Sequence, residues 1–389
     1  MSAATPTPED AGLPPPPTAP PPSNPPISHQ TSPTPTTTTT TTTTSKPTIL
    51  HLGDDIRWNH DLYAQLSQHF HIARSYSMPR EEFKTALREN RWGSFVAIYR
   101  PFWSTGGEMG PWDRDLISLL PSSCKIYASA GAGFDWVDTK ALAERGIIYC
   151  NSAPACTESV ASTALMMLLS TFHMAMPSLL AARSLSAEQF RHANQTLAAR
   201  IRNPNGRVLG IIGLGRIGFR IAQKARLACE MRIWYHDVVR QPAEREEEIG
   251  ATWCESLDEL LPGADCVVLA TPFEGRVLLS RREFAMFKPG ARLVNIARGK
   301  LVDEDALVEA LDEGRISAAA LDVHANEPYV DERLVMRENV LATCHTAGAS
   351  VESHVGFERL GMENLMGYFF GDGPVTPVNL QWLKRSEEE

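Results

Sequence analysis

Apolar and polar residues alternate along the chain in a way that predicts strands separated by helices. Over the first part, apolar runs predict strands at 48–52, 95–99, 125–128 and 147–149. Amphipathic stretches between these runs predict helices at 61–69 and 113–120. Such alternation indicates a parallel sheet with helices on its faces.

The alternation restarts after residue 207. The predicted strands are 208–212, 232–235, 266–270, 293–296, 318–323 and 340–343. A helix is predicted at 216–228, and another at 303–313 has Asp303 as its N-cap and Gly314 just past its end. We therefore predict an α/β fold of two doubly wound parallel-sheet domains with a cleft between them. A final amphipathic stretch at 352–369 could return the chain to the first domain.

Between the two parts, residues 160–182 contain no Asp, Glu, Lys or Arg. This stretch is long enough to cross a bilayer, but Ser162, His173 and Pro177 are among its many polar or helix-breaking interruptions. We predict a helix that is buried on all sides, at a domain junction or a subunit interface, rather than a membrane span.

Composition separates the chain termini from the rest. Residues 1–47 hold 14 of the 28 prolines together with 14 threonines and only three charged residues. A segment with so few large apolar side chains gains too little from burial to offset its backbone entropy. We predict a disordered arm at 1–47 and a flexible acidic tail at 381–389.

Charge and cysteine content restrict the function further. The chain has 37 Lys and Arg against 46 Asp and Glu, a net charge of −9, which argues against binding to nucleic acid or to anionic membranes. The N-terminus lacks the apolar core of a secretory signal and the arginines of a transit peptide, so we expect a cytoplasmic protein. The seven cysteines show no CxxC spacing, which predicts reduced thiols and no metal site.

A G-x-G-x-x-G sequence, made by Gly213, Gly215 and Gly218, lies between a predicted strand and a predicted helix. The three glycines permit, in order, a tight turn, a close approach of the backbone to a pyrophosphate, and close packing of the helix. Asp237 ends the next strand, where a carboxylate accepts hydrogen bonds from ribose hydroxyls and repels a 2′-phosphate. We predict a dinucleotide site that favours NAD over NADP. Arg240 could soften that preference, and Asp237 could instead cap a turn.

Further signatures follow in the order found in one enzyme family. They are 213–218, 295–299, 321–323 leading to 327–328, and 345–348. Together they resemble the D-isomer-specific 2-hydroxyacid dehydrogenases over nearly all of the chain beyond the arm, and 235–240 is similar to the subgroup with fungal D-mandelate dehydrogenases. The resemblance implies two Rossmann-like domains and the NAD-dependent reduction of a 2-oxo acid to a D-2-hydroxy acid, and the reverse reaction.

The resemblance implies catalytic roles for three residues. Arg298 matches the arginine whose planar fork binds the substrate carboxylate. His345 matches the general acid and base, and Glu327 matches the residue that hydrogen-bonds this histidine and favours its protonated form. Composition alone would not select them, because His324 and His354 lie nearby and Arg298 could serve a structural ion pair. Arg298 and His345 nevertheless each follow an apolar strand, at the edge where open α/β sheets bind ligands.

The same motifs imply contacts with the cofactor and the substrate. The implied cofactor contacts are Gly213, Gly215, Arg216, Ile217, Gly218, Asp237, Thr271, Ala297 and Asp322. The substrate carboxylate is expected to meet Arg298 and the backbone of Gly131, Ala132 and Gly133, a loop that could equally be a bare turn.

The resemblance also implies domain limits and an oligomer. The substrate domain is expected at 48–156 plus 349–380, and the dinucleotide-binding domain at 157–348 is expected to form a homodimer. Two positions depart from the family pattern. Cys344 replaces the usual proline before the histidine, where we expect a buried small residue rather than a redox switch. Ser162 replaces an acidic residue, and neither departure removes a catalytic group.

Substrate size remains open at this point. Phe102, Trp103, Met109 and Trp112 form an apolar cluster that could line the pocket or simply belong to the core. A pocket role would favour an aryl 2-oxo acid such as benzoylformate over glyoxylate or hydroxypyruvate. The main alternative function is a non-catalytic NAD-sensing protein, similar to corepressors that share the fold and the three catalytic residues. The lack of a basic nuclear-localisation run argues against that alternative.

Overall fold

The computed structural model describes residues 46–102 and 109–383. Most of the predicted arm, Trp103 of the apolar cluster and residues 384–389 of the predicted tail lie outside the described residues. Within them the chain forms two parallel-sheet α/β domains, which confirms the predicted fold class.

The first domain is built on a five-stranded sheet. Its strands are β1 (Thr48–Leu52), β2 (His71–Ser75), β3 (Ala97–Arg100), β4 (Ile126–Ser129) and β5 (Ile148–Cys150). The helices between them are α1 (His60–His69), α2 (Arg80–Arg88), α3 (Arg114–Ser118) and α4 (Thr139–Glu144). The strands are parallel, in the order β2-β1-β3-β4-β5. Because both faces are covered, neighbouring residues Ile49 and Leu50 enter different cores.

Three helices connect the two sheets. They are α5 (Ala153–Phe172), α6 (Ala175–Arg183) and α7 (Ala187–Thr196). The single helix predicted over 160–182 is therefore wrong, since it breaks near Met174, whose φ of 49° is left-handed and cannot continue a right-handed helix.

The second domain is built on a seven-stranded sheet. Its strands are β6 (Val208–Ile212), β7 (Arg232–His236), β8 (Ala251–Trp253), β9 (Cys266–Leu269), β10 (Ala291–Asn295), β11 (Ile316–Leu321) and β12 (Val340–Ala342). Its helices are α8 (Arg216–Cys229), α9 (Ala243–Ile249), α10 (Leu257–Leu260), α11 (Arg281–Met286), α12 (Glu304–Asp312) and α13 (Glu332–Val335). All strands are parallel, in the order β12-β11-β10-β9-β6-β7-β8. From β6 the chain adds strands first on one side, as β7 and β8, and then on the other side, beginning with β9. A reversal of this kind leaves a crevice at the carboxyl ends of β6 and β9, where doubly wound sheets bind ligands.

The last helix, α14 (Val351–Phe370), returns the chain to the first domain. Glu358 at its centre is fully buried, and its carboxylate accepts hydrogen bonds from the backbone N–H groups of residues 57–59, just before α1. Tyr99 on β3 donates a hydrogen bond to the Glu358 carbonyl. These contacts attach α14 to the first sheet, although the exact limits predicted for the two domains stay a prediction.

Helix α5 is long and apolar enough, by length and composition, to cross a membrane. It packs with one face in the core shared with α8, α14 and the second sheet, where Ala161, Ala164 and Leu168 are fully buried. Met166 on α5 and Leu180 on α6 are 46% and 48% exposed, so the single chain does not bury these helices on all sides. The side of α5 that carries Met166 therefore lies at the surface of the single chain. The predicted burial at a subunit interface stays a prediction.

Candidate active site

A cavity of about 700 Å³ lies between the two domains, a size typical of small-molecule sites. Both domains line it. The predicted site residues in its wall are Gly131, Ala132, Gly133, Ile217, Thr271, Ala297, Arg298, Asp322 and His345. Glu327 does not line the cavity itself but contacts His345, which does. The remaining predicted cofactor residues lie outside the wall, in the turn after β6, in the first turn of α8 and just after β7. They are Gly213, Gly215, Arg216, Gly218 and Asp237.

His345 lies three residues after β12, in a left-handed backbone conformation with φ of 55°. Its Nδ1 is 2.8 Å from Oε2 of Glu327. The other oxygen of Glu327 accepts a hydrogen bond from the backbone N–H of His324 at 2.9 Å. Burial raises the pKa of Glu327, but the hydrogen bonds from His345 and His324 outweigh it and leave the pKa below its usual value. Glu327 is therefore an anion that fixes the orientation of the imidazole.

Asp322, at the end of β11, is 1% exposed and holds the loop that carries His345. Its carboxylate accepts hydrogen bonds from the Thr343 hydroxyl at 2.6 Å and from the backbone N–H groups of Thr346 and Ala347, both at 2.9 Å. The backbone carbonyl of Asp322 accepts a hydrogen bond from the His345 N–H at 2.7 Å. The sequence motifs pointed to a cofactor contact for Asp322, and this anchoring of the loop is an addition from the structure.

Arg298, three residues after β10, reaches across the cleft to the first domain. Its Nε donates a hydrogen bond to Asp135 at 2.9 Å, and one terminal nitrogen donates to the Ala297 carbonyl at 2.7 Å. A Cβ atom at Gly133 would lie 1.4 Å from a guanidinium nitrogen, so any side chain there would displace Arg298. The backbone of Gly133 and the guanidinium of Arg298 are therefore packed directly against each other in the cavity wall. Asp135 is a site residue that sequence reasoning did not select.

Three of the four residues in the apolar cluster proposed from the sequence are buried. Phe102, Met109 and Trp112 are at most 2% exposed, and Met109 and Trp112 pack in the core of the first domain. Aromatic rings in the cavity wall come from Phe134, Trp136, Phe273 and Phe357. The cavity is therefore apolar around its charged groups, through side chains other than those of Phe102, Met109 and Trp112.

The glycine turn after β6 fits the expected dinucleotide. A Cβ at Gly213 would lie 2.8 Å from the Ala270 carbonyl oxygen, and one at Gly218 would lie 2.0 Å from the Gly213 carbonyl oxygen. A Cβ at Gly215 would meet no atom within 4 Å, so the protein itself does not require this glycine. The space in front of Gly215 lies at the N-terminus of α8, where backbone N–H groups can bind a pyrophosphate.

Asp237 lies directly beside this turn. One of its carboxylate oxygens accepts a hydrogen bond from the Leu214 N–H at 2.7 Å, and the other accepts one from the Val238 N–H at 2.8 Å. These contacts fix the carboxylate at the end of β7, the strand next to β6. The placement suits hydrogen bonds from the adenosine ribose of a dinucleotide bound at the turn.

All seven cysteines have free thiols. Six are buried, and burial raises the pKa of the Cys156 thiol, in the cavity wall, to about 11. Cys344 is exposed, contrary to the expected burial, because the chain has already left the edge strand β12 at residue 342. Over 46–102 and 109–383, no group of three or more His, Cys, Asp or Glu side chains is placed to hold a metal ion.

The chain is similar to known proteins over most of its length. Residues 167–347 match the NAD binding domain of the D-isomer specific 2-hydroxyacid dehydrogenases. A 4-methyl-2-oxopentanoate reductase A of Aspergillus oryzae is 35% identical over 305 residues, which are 78% of this chain and 89% of the relative.

Two solved structures extend the similarity across both domains. D-mandelate dehydrogenase of Rhodotorula graminis is 39% identical with a TM-score of 0.84, covering 86% of this chain and 98% of that one. An NADPH-dependent glyoxylate/hydroxypyruvate reductase of Sinorhizobium meliloti is 31% identical with a TM-score of 0.66, covering 86% and 97%. Similarity of this extent shows that the chain is an oxidoreductase of the D-isomer specific 2-hydroxyacid dehydrogenase family.

Proposed function

We propose that the protein uses NADH to reduce 2-oxo acids with an apolar side chain to D-2-hydroxy acids, and catalyses the reverse oxidation with NAD. The observation that carries the proposal is that Arg298 and the His345–Glu327 pair meet at one cavity between the domains. Besides a hydride donor, the reaction needs a cation for the carboxylate and an acid for the carbonyl oxygen. When bound, NADH supplies the hydride.

The residues of the chain divide the remaining tasks. Arg298 binds the substrate carboxylate and polarises the adjacent carbonyl, while Asp135 holds its guanidinium at 2.9 Å. His345 donates a proton from Nε2 to the carbonyl oxygen, because Nδ1 is engaged with Glu327. The negative charge of Glu327 stabilises the protonated imidazole before the transfer. In the oxidation direction His345 takes the proton back.

The cofactor preference follows from Asp237. Its carboxylate is fixed beside the glycine turn, where it accepts hydrogen bonds from the ribose hydroxyls and repels the 2′-phosphate of NADP. Relatives in this family use either cofactor, since the Sinorhizobium reductase is NADPH-dependent. We therefore attribute the preference of this chain for NAD to its own residues at the end of β7.

An apolar side chain on the substrate is supported by the cavity wall. Phe134 and Trp136, on either side of Asp135 in the sequence, line the same cavity as Arg298. Burying an aryl or branched alkyl group against them is favourable by roughly 25 cal/mol per Å² of apolar surface. The relatives named for mandelate and 4-methyl-2-oxopentanoate act on acids of this kind.

We also propose that two copies associate through α5, α6 and α7. These helices and the loop between α6 and α7 expose the large apolar side chains Met166, Leu179, Leu180, Leu185 and Phe190. Several large exposed apolar side chains on helices that pack against one another are typical of an interface. The cytoplasmic location expected from the sequence remains part of the proposal.

The test is to follow NADH and NADPH oxidation by the purified protein with benzoylformate, 4-methyl-2-oxopentanoate, glyoxylate and hydroxypyruvate in parallel. We expect the highest kcat/KM with NADH and one of the first two acids, and a D-2-hydroxy acid on chiral analysis. Turnover of none of them by protein that binds NADH would contradict the proposal and favour a non-catalytic NAD sensor.

A further inference from the structure

Arg240 lies three residues beyond Asp237, in the loop that follows β7. A guanidinium near the ribose site is the group that would bind the 2′-phosphate of NADP. In this chain the guanidinium of Arg240 already forms an ion pair with Glu246. Its Nε donates a hydrogen bond to Glu246 at 2.9 Å, and one terminal nitrogen donates to the second oxygen of Glu246 at 2.8 Å. Such a two-point ion pair is the strongest geometry available to an arginine and a carboxylate.

Glu246 is held in place independently of Arg240. It lies on α9, and its side chain is 10% exposed, whereas that of Arg240 is 59% exposed. The Tyr235 hydroxyl donates a hydrogen bond to Glu246 at 2.5 Å, and accepts one from the Gln241 N–H at 3.0 Å. Glu246 therefore cannot follow the arginine toward a ligand, and any movement must be made by Arg240.

A further contact also holds Arg240 away from the ligand site. Its guanidinium lies over the Trp253 ring, 5.3 Å from the ring centre, so it stays within the unit formed by β7, α9 and β8. Hydrogen bonds from Arg240, and then from Tyr235, lower the pKa of Glu246 despite its burial. The carboxylate is therefore charged throughout the neutral range and holds the guanidinium there.

We propose that Glu246 enforces the preference for NAD by holding Arg240 in this ion pair. Asp237 then faces the ribose without a competing cation. Arg240, once released, supplies the positive charge that a 2′-phosphate requires. This inference rests on the proposed use of NAD and adds a second determinant of cofactor choice, a positioning residue that lies outside the glycine turn.

The test is the binding of NADP⁺ and NAD⁺, measured by titration calorimetry without substrate. Glu246→Gln keeps the shape of the side chain and an acceptor for Tyr235, but removes the charge. We expect its affinity for NADP⁺ to rise about fivefold and its affinity for NAD⁺ to stay within about twofold of the original. Glu247→Gln, an exposed residue on the same helix, is the matched control and leaves both affinities unchanged.

A second variant identifies the group that binds the phosphate. In Glu246→Gln combined with Arg240→Ala, the gain in NADP⁺ affinity disappears. An unchanged affinity for NADP⁺ in Glu246→Gln, or a gain that survives the loss of Arg240, would overturn the inference. If Glu246→Gln does not fold, Glu246→Asp provides the same test, because it is one methylene too short to reach both guanidinium nitrogens. Failure of the unaltered protein to bind NAD⁺ would instead overturn the proposed function, and this inference with it.

Discussion

At the scale of single residues, the chemistry depends on the carboxylate of Glu327. Its contact with Nδ1 of His345 stabilises the protonated imidazole that reduction consumes. Glu327→Gln preserves a hydrogen-bonding group but removes the charge. We therefore expect the alkaline limb of the pH–rate profile for 2-oxo acid reduction to move to lower pH, as measured by initial rates of NADH oxidation.

The acid side of the same profile tests the environment of Glu327. Because the pKa of Glu327 lies below its usual value, the carboxylate stays charged as the pH falls through the ordinary range of glutamic acids. The unaltered enzyme should therefore keep its reduction rate down to about pH 4, below the pKa of about 4.3 of an ordinary glutamic acid. A profile of Glu327→Gln that coincides with the original on the alkaline side would show that the charge does not act on His345.

Asp322 provides a second residue-scale prediction. Asp322→Asn replaces one acceptor oxygen by an NH₂ group facing an N–H or hydroxyl donor, in a site that is 1% exposed. We expect a loss of about 1–3 kcal/mol in the free energy of unfolding and a lower kcat, because the loop carrying His345 loosens. Thermal unfolding and steady-state rates measure the two effects. Asp305→Asn, at a 62% exposed side chain, is the control, and an equal Tm for both variants would contradict the anchoring role.

The sequence located part of the site and missed part of it. Arg298 and His345 could be selected because each follows an apolar strand within a recognisable motif, and the structure places both at the cavity. Asp135 could not be selected, because its pairing with Arg298 depends on how two separate domains meet. The anchoring role of Asp322 was missed for a similar reason, since hydrogen bonds to backbone N–H groups leave no pattern in the side chains of a loop.

At the scale of elements, two glycines near the junction of β6 and α8 are expected to be needed for different reasons. The fold requires Gly218, whereas only the bound cofactor requires Gly215. Gly218→Ala would place a Cβ 2.0 Å from the Gly213 carbonyl oxygen, so we expect both a lower Tm and weaker NADH binding. Gly215→Ala would meet no protein atom within 4 Å and has an ordinary negative φ, so we expect weaker NADH binding at an unchanged Tm.

Thermal unfolding and fluorescence titration with NADH distinguish the two variants. Each serves as the control for the other, because both add one methyl group to the same turn. Gly215→Ala that binds NADH as tightly as the unaltered protein would show that the pyrophosphate does not lie against this glycine.

The elements predicted from the sequence are those with strong apolar runs. The limits of β1 and β6 agree with the prediction, since both lie inside a sheet and nine of their ten residues are buried. Strand β2 was not predicted, because it is an edge strand with the polar sequence HIARS. The break between α5 and α6 was missed as well, because a left-handed methionine at 174 has no signature comparable to glycine.

At the scale of the whole molecule, the exposed face of α5, α6 and α7 predicts a dimer. Leu180→Arg places a charge in that face, so we expect sedimentation to give the mass of one chain instead of two. Leu227→Arg changes an 81% exposed leucine on α8 and should leave the dimer intact. An unaltered protein that sediments as a single chain would contradict the proposed association.

The whole molecule carries a net charge of −9, yet its proposed ligands, a dinucleotide and a 2-oxo acid, are anions. Local groups resolve this conflict, because the α8 N-terminus and Arg298 lie where the two anions are expected. The central claim is that this cleft reduces 2-oxo acids with His345 as the proton donor.

The most direct test of that claim is the kcat for NADH-dependent reduction by His345→Asn beside the unaltered protein. Asparagine tolerates the left-handed backbone at this position but cannot transfer a proton in the neutral range. The account predicts a loss of about 10²- to 10⁴-fold in kcat with little change in the affinity for NADH. A kcat close to that of the unaltered protein would contradict it.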